Sequence, residues 1–154
     1  GVIRVTGEKN HTGKAGLFGH NEELDWHTHH ANAVKRYPFV WLYAVKGSKG
    51  SRTSWINQEM AFNDLSVNMQ QELENIKYAS GYKIGSFSKE QTSHELHNFL
   101  KGHCTQEKYI YHHEWEDKDL VISEQWLSIH KRWQFDGMKE RLLHRIAFDY
   151  DKAY

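Results

Sequence analysis

The sequence predicts a mainly β fold with helices packed against it, and three stretches carry that expectation. Phe39 to Val45 is an apolar run of strand length, bounded by Pro38 and by the glycines and serines from Gly47 to Ser51. Arg141 to Phe148 alternates, placing Arg141, Leu143, Arg145 and Ala147 on one face and Leu142, His144, Ile146 and Phe148 on the other. Tyr109 to Trp115 alternates as a strand, Glu116 to Asp119 makes a turn, and Leu120 to Ser123 returns as the next strand.

Length and charge narrow the function. At 154 residues the chain is expected to form one domain, spanning 1–154, with a real core. Its 20 basic and 20 acidic side chains cancel, which removes the electrostatic footprint of a dedicated nucleic-acid binder and leaves no polybasic segment for a membrane. The expected partner is a small-molecule substrate. A lone cysteine, Cys104, excludes an internal disulfide framework, and with no signal peptide or long apolar run the chain is expected to be soluble and cytoplasmic. Oligomeric state is not legible. Twelve histidines make chance His-x-His pairs common, so each needs context.

In chain order, Val2 to Thr6 alternates weakly and fits an edge strand, and Gly7 to Gly19 has loop composition with no function assigned to it. In Glu22 to His30, a histidine-dense stretch, His27 and His29 fall on one side of an extended chain while Trp26 and Thr28 point the other way. Imidazoles so spaced can both reach one cation at about 2.1 Å. Alone the pair is a weak metal signal, and solvated histidines satisfy the same pattern. Phe39 to Val45 is expected to be a buried central strand.

Asn57 to Leu65, with Met60 and Ala61, predicts a short helix, and a longer one starts near Ser66. Leu65, Met69, Leu73 and Ile76 are expected to form a core-facing stripe. Gly81 to Gln91 has turn composition without a period. Thr92 and Glu95 have the spacing of a capping box and open an amphipathic helix with Leu96, Phe99, Leu100 and His103 along one face, which makes His103 a packing residue. His112 and His113 are expected to be ordinary strand residues.

The last third holds the functional signal. His130 precedes Arg141 and Arg145, whose Cα atoms lie roughly 13 Å apart on one strand face, so their guanidiniums can approach opposite ends of a small dianion. Surface arginines on a half-exposed strand are the plain alternative.

Together these pieces resemble the taurine dioxygenase-like (TauD/TfdA-type) branch of the Fe(II)- and 2-oxoglutarate-dependent oxygenases. Trp26-His27-Thr28-His29 resembles the family's Trp-His-Thr-Asp, which supplies two iron ligands. Gly50 to Trp55 resembles its Gly-Gly-x-Thr segment, with Thr53 at the threonine that contacts 2-oxoglutarate. Trp115 to Leu120 is similar to the Trp-x-x-Gly-Asp-Leu turn, Ser123-Glu124-Gln125 stands in for Trp-Asp-Asn, and His130 falls at the distal iron histidine. Arg141 and Arg145 match the arginine pair used for the far carboxylate of 2-oxoglutarate and for the neighbourhood of its near end.

The resemblance implies a double-stranded β-helix, a jelly-roll or cupin-like barrel. It implies Fe(II) on His27 and His130 with His29 as a third ligand, and 2-oxoglutarate held by Thr53, Arg141 and Arg145. The implied reaction is oxidative decarboxylation of 2-oxoglutarate to succinate and CO2, coupled to hydroxylation of a small organic substrate. Metal affinity is expected to fall below about pH 6.5, where imidazole protonates.

Two departures matter. His29 replaces the family's aspartate, turning a two-histidine, one-carboxylate face into three neutral imidazoles, a set that also binds zinc, nickel or copper. The section between Thr53 and Arg141 is shorter than the family's. Two other functions therefore stand beside the oxygenase: a non-catalytic descendant that binds a metal or keto acid, and a three-histidine zinc or iron enzyme that does not use 2-oxoglutarate.

Overall fold

The computed structural model describes residues 1–29, 37–76 and 90–148. The strands are β1 (Ile3–Val5), β2 (Leu24–His27), β3 (Phe39–Lys46), β4 (Arg52–Asn57), β5 (Ile110–Glu114), β6 (Leu120–Glu124), β7 (Ser128–Arg132) and β8 (Leu142–Phe148). Three helices, α1 (Gln58–Asn63), α2 (Val67–Glu74) and α3 (Glu90–Cys104), fall between β4 and β5. Asn57 caps α1 by accepting from the Met60 N–H, and Ser66 caps α2 by accepting from the Met69 N–H, so each helix starts at its own side-chain oxygen cap.

The strands form two antiparallel sheets, ordered β1-β8-β3-β6 and β2-β7-β4-β5. Consecutive strands mostly change sheet, and the β5–β6 turn is such a crossing rather than a hairpin. This is the double-stranded β-helix architecture, with one correction to the expected barrel. No ladder joins the two sheets among the described residues, so they face each other without closing.

Side chains from both sheets fill the space between them. Val5, Val40, Leu42, Ala44 and Leu143 meet Trp55 across the gap, and Trp115, Phe135 and Met138 complete the cluster from the connecting segments. A smaller core of Ile56, Ala61 and Tyr109 lies on the other face of β4. There the His103 ring of α3 hydrogen-bonds the Ala61 carbonyl of α1 at 2.7 Å. β4 is thus covered on both faces, which holds its residues rigidly in register with the site.

Four sequence expectations are corrected. β3 is central but buried on one face only, since Val40, Leu42 and Ala44 are buried while Trp41, Tyr43 and Val45 are exposed. Large apolar side chains on the outer face had masked a period-two strand. The Leu65–Ile76 stripe is not core: Leu65 is buried, Met69 and Leu73 are half-buried, and Ile76 is exposed. Helix α3 starts at Glu90, so Thr92 lies inside it and is not its cap. Of Gly81 to Gln91, residues 81 to 89 lie outside the described residues, and Glu90 and Gln91 are helical. No described helix is long and apolar enough to cross a membrane.

Candidate metal centre and its anion pocket

Strand register assembles the histidines. His27 of β2 is the direct cross-strand partner of His130 of β7, so the two imidazoles leave the sheet on the same face. His29 follows two residues later, past the end of β2. The ring centroids lie 4.3 Å apart for His27 and His130, 4.5 Å for His29 and His130, and 5.5 Å for His27 and His29. One ligand nitrogen from each lies within 4.8 Å of the others. Ligands about 2.1 Å from a common centre and on one face of it are roughly 3.0–3.4 Å apart, so the three rings would have to draw together to complete a three-imidazole face.

The supports of these rings are specific. His27 Nδ1 lies 2.6 Å from the Asp25 carbonyl, which assigns its proton to Nδ1 and leaves the Nε2 lone pair for a metal. Gln125 holds the next two residues. Its backbone oxygen accepts from the Thr28 hydroxyl at 3.1 Å and its side-chain oxygen from the His29 N–H at 3.3 Å, while its own amide donates to Ser123 Oγ at 2.9 Å. Trp55 stacks on His130 with centroids 6.3 Å apart. Burial pushes the His27 imidazole below its ordinary value, and pushes His130 well below, with the neighbouring histidines and Arg145 adding to the effect on His130. Both rings are therefore neutral, as ligands must be. His130 Nδ1 is buried and lacks a hydrogen-bond partner, and such an orphaned nitrogen within an imidazole cluster fits a metal site.

The histidines line a small pocket of about 40 Å³. Thr53, Arg132, Arg141 and Arg145 share its wall, and among the described residues the lining contains no carboxylate. All five sequence-singled positions around His130, namely His27, His29, Thr53, Arg141 and Arg145, meet here. Arg141 is only 2% exposed, its guanidinium lies 5.8 Å from the Trp115 ring and 5.5 Å from the Phe135 ring, and its Nε and Nη1 have no hydrogen-bond partner. Burial first, and Arg132 second, lower its pKa to about 9. At neutral pH it remains a buried cation. Burial also lowers the pKa of Arg145. The Thr53 hydroxyl accepts from Trp115 Nε1 at 2.9 Å.

Sequence reasoning missed Arg132 and Phe18. Arg132 was within reach, because two residues after His130 on a strand is the same face. Phe18 lies in the segment to which no function was assigned.

With the geometry in place, the comparisons bear on its class. The model of the "Taurine catabolism dioxygenase TauD, TfdA family" matches residues 81–147. A taurine dioxygenase from Burkholderia xenovorans superposes with a TM-score of 0.66 at 17% identity, covering 80% of this chain and 56% of its own. AAD-2, solved in complex with Mn(II) and N-oxalylglycine, gives 0.67 at 19% identity, covering 80% and 66%. PvcB, described as an Fe, alpha-ketoglutarate dependent oxygenase from an isonitrile synthetic pathway, gives 0.69 at 16% identity, covering 97% and 64%. The chain thus has the fold of the TauD-like oxygenases, and spans between 56% and 66% of the length of these three relatives. No curated protein sequence matches it.

Proposed function

We propose that the protein is a non-haem Fe(II)- and 2-oxoglutarate-dependent oxygenase acting on a small organic substrate. The observation that carries this is one pocket with a metal-competent cluster, His27, His29 and His130, and a buried guanidinium, Arg141, whose Nε and Nη1 lack partners. A buried unpaired cation is costly, and a carboxylate is the group that offsets the cost with charge-assisted hydrogen bonds. A dianionic keto acid with one end on a metal and the other on an arginine satisfies both features.

Each residue then has a task. His27, His29 and His130 would hold the metal. Iron(II) held there would supply the oxidation with dioxygen as oxidant, one oxygen atom ending in the succinate formed with CO2 from 2-oxoglutarate and the other in the hydroxylated substrate. Arg141 binds the far carboxylate, and the rings of Trp115 and Phe135 beside it exclude water and strengthen that contact. Thr53 already accepts from Trp115, so its own O–H is free to donate to the same ligand. Arg145 adds positive charge near the reactive end.

The test is to load the protein anaerobically with iron(II), add 2-oxoglutarate and oxygen, and measure succinate for the parent and for His29→Asp. Succinate from the parent establishes a working three-histidine site, and succinate from the variant alone identifies a site that lost its carboxylate. Clean metal loading with no succinate from either supports a binding module.

A further inference from the structure

The segment from Leu17 to Glu22 brings Phe18 into the pocket wall beside the histidines, and Arg132 holds it. Arg132, 4% exposed, donates from Nη1 to the Phe18 carbonyl at 2.7 Å and from Nη2 to the carbonyls of His20 at 2.7 Å and Glu22 at 2.5 Å. This buried cation is used on three backbone carbonyls of one loop. The segment is also fastened from the other side. The Leu17 N–H donates to the Arg4 carbonyl at 2.8 Å, and a Cβ at Gly16 or Gly19 would lie 2.5 Å from the Arg4 oxygen or 2.7 Å from the Thr6 oxygen. Farther along, Asn21 accepts from the Phe135 and Met138 N–H groups. Phe18 itself takes a left-handed conformation, φ 53°, that a non-glycine residue keeps only where its surroundings over-determine it. The consequence is placement of its ring edge-on to His27 at 6.5 Å, in the pocket wall with Leu24 and His29.

We infer that Phe18 is a specificity-determining wall residue beside the metal cluster, that Arg132 is the residue positioning it, and that in a pocket of only about 40 Å³ this wall admits slim aliphatic groups next to His27 while excluding ring-bearing ones. The inference rests on the metal-centred reading of the pocket above. The three hydrogen bonds from Arg132 and the close-packed glycines resist retreat of this segment and so preset the width of the space.

The probes are acetate and benzoate, titrated into Co(II)-loaded protein and followed by the cobalt visible spectrum. The parent is expected to bind acetate in preference to benzoate. Phe18→Ala should raise the benzoate-to-acetate affinity ratio at least tenfold with acetate affinity kept within threefold. Arg132→Ala should move the ratio in the same direction, and Phe18→Leu should restore part of the parent preference. A ratio unchanged within twofold in Phe18→Ala overturns the inference, and that variant remains decisive if Arg132→Ala does not fold. Should the parent not bind cobalt, the metal-centred reading fails on its own. The wall is then judged in the metal-free protein by carbethoxylation of His27, read by peptide mass. Modification at least fivefold faster in Phe18→Ala supports the wall, and an unchanged rate overturns it.

Discussion

Arg141 carries a full positive charge against two aromatic rings, and at neutral pH the ligand-free fold bears the whole cost of that charge. Its folded pKa, about 9, lies well below the ordinary guanidinium value, so relief comes only as pH rises from about 9 toward that value. Replacing it with a neutral side chain of similar length should therefore stabilise the ligand-free protein while weakening ligand binding. Arg141→Met is expected to raise the thermal midpoint by about 3 °C for each kcal/mol gained, and to weaken 2-oxoglutarate binding by about ten- to a hundredfold through loss of a contact of about 1.5–3 kcal/mol. Thermal unfolding and calorimetry on the same samples check both halves. Lys118 offers a second single-residue test. It sits at the position of the glycine in the Trp-x-x-Gly-Asp-Leu turn and adopts φ 72°, where a side chain is strained. Lys118→Gly should add about 0.5–1 kcal/mol to stability, read as a shift in denaturation midpoint with unchanged m-value.

The metal cluster belongs to the scale of elements, because it exists through the pairing of β2 with β7 and through the hold of Gln125 on the turn after β2. Gln125→Ala should spare His27 and His130 but release His29, lowering metal affinity by about ten- to a hundredfold. Metal titration on folded protein checks this. The depressed pKa values of His27 and His130 set the acid behaviour. Both rings are neutral in the fold, whereas the unfolded chain takes up protons below about 6.5, so stability of the metal-free protein is full above that value and falls as pH drops through the lower folded values. Metal binding should accordingly persist below pH 6.5, which lowers the onset expected from free imidazole. Unfolding midpoints and metal affinities measured between pH 7 and 5 would show the two trends.

At this same scale the sequence was readable where one period ruled a strand. The alternation from Arg141 to Phe148 grouped Arg141, Leu143 and Arg145 on one face, which is the buried one, and β3 failed only because large apolar residues fill its solvent face as well. The start of α3 was misplaced, since Thr92 and Glu95 satisfy the spacing of a cap while the helix extends upstream of them. Phe18 was illegible for a different reason. Its place depends on contacts from Arg132, 114 residues away along the chain, and no local pattern encodes such a tie.

Across the whole molecule, two facing sheets place three imidazoles and three buried arginines around one pocket with no lining carboxylate among the described residues, a charge distribution that calls for an anionic ligand. The central claim is that the histidine-bound metal and Arg141 hold opposite ends of the same small dianion. The most direct measurement is an anaerobic calorimetric titration of 2-oxoglutarate into the iron-loaded parent, the metal-free parent and iron-loaded Arg141→Met. Saturable binding that weakens at least tenfold when either the metal or the arginine is removed is the predicted result. Affinity unchanged by the loss of either one would contradict it.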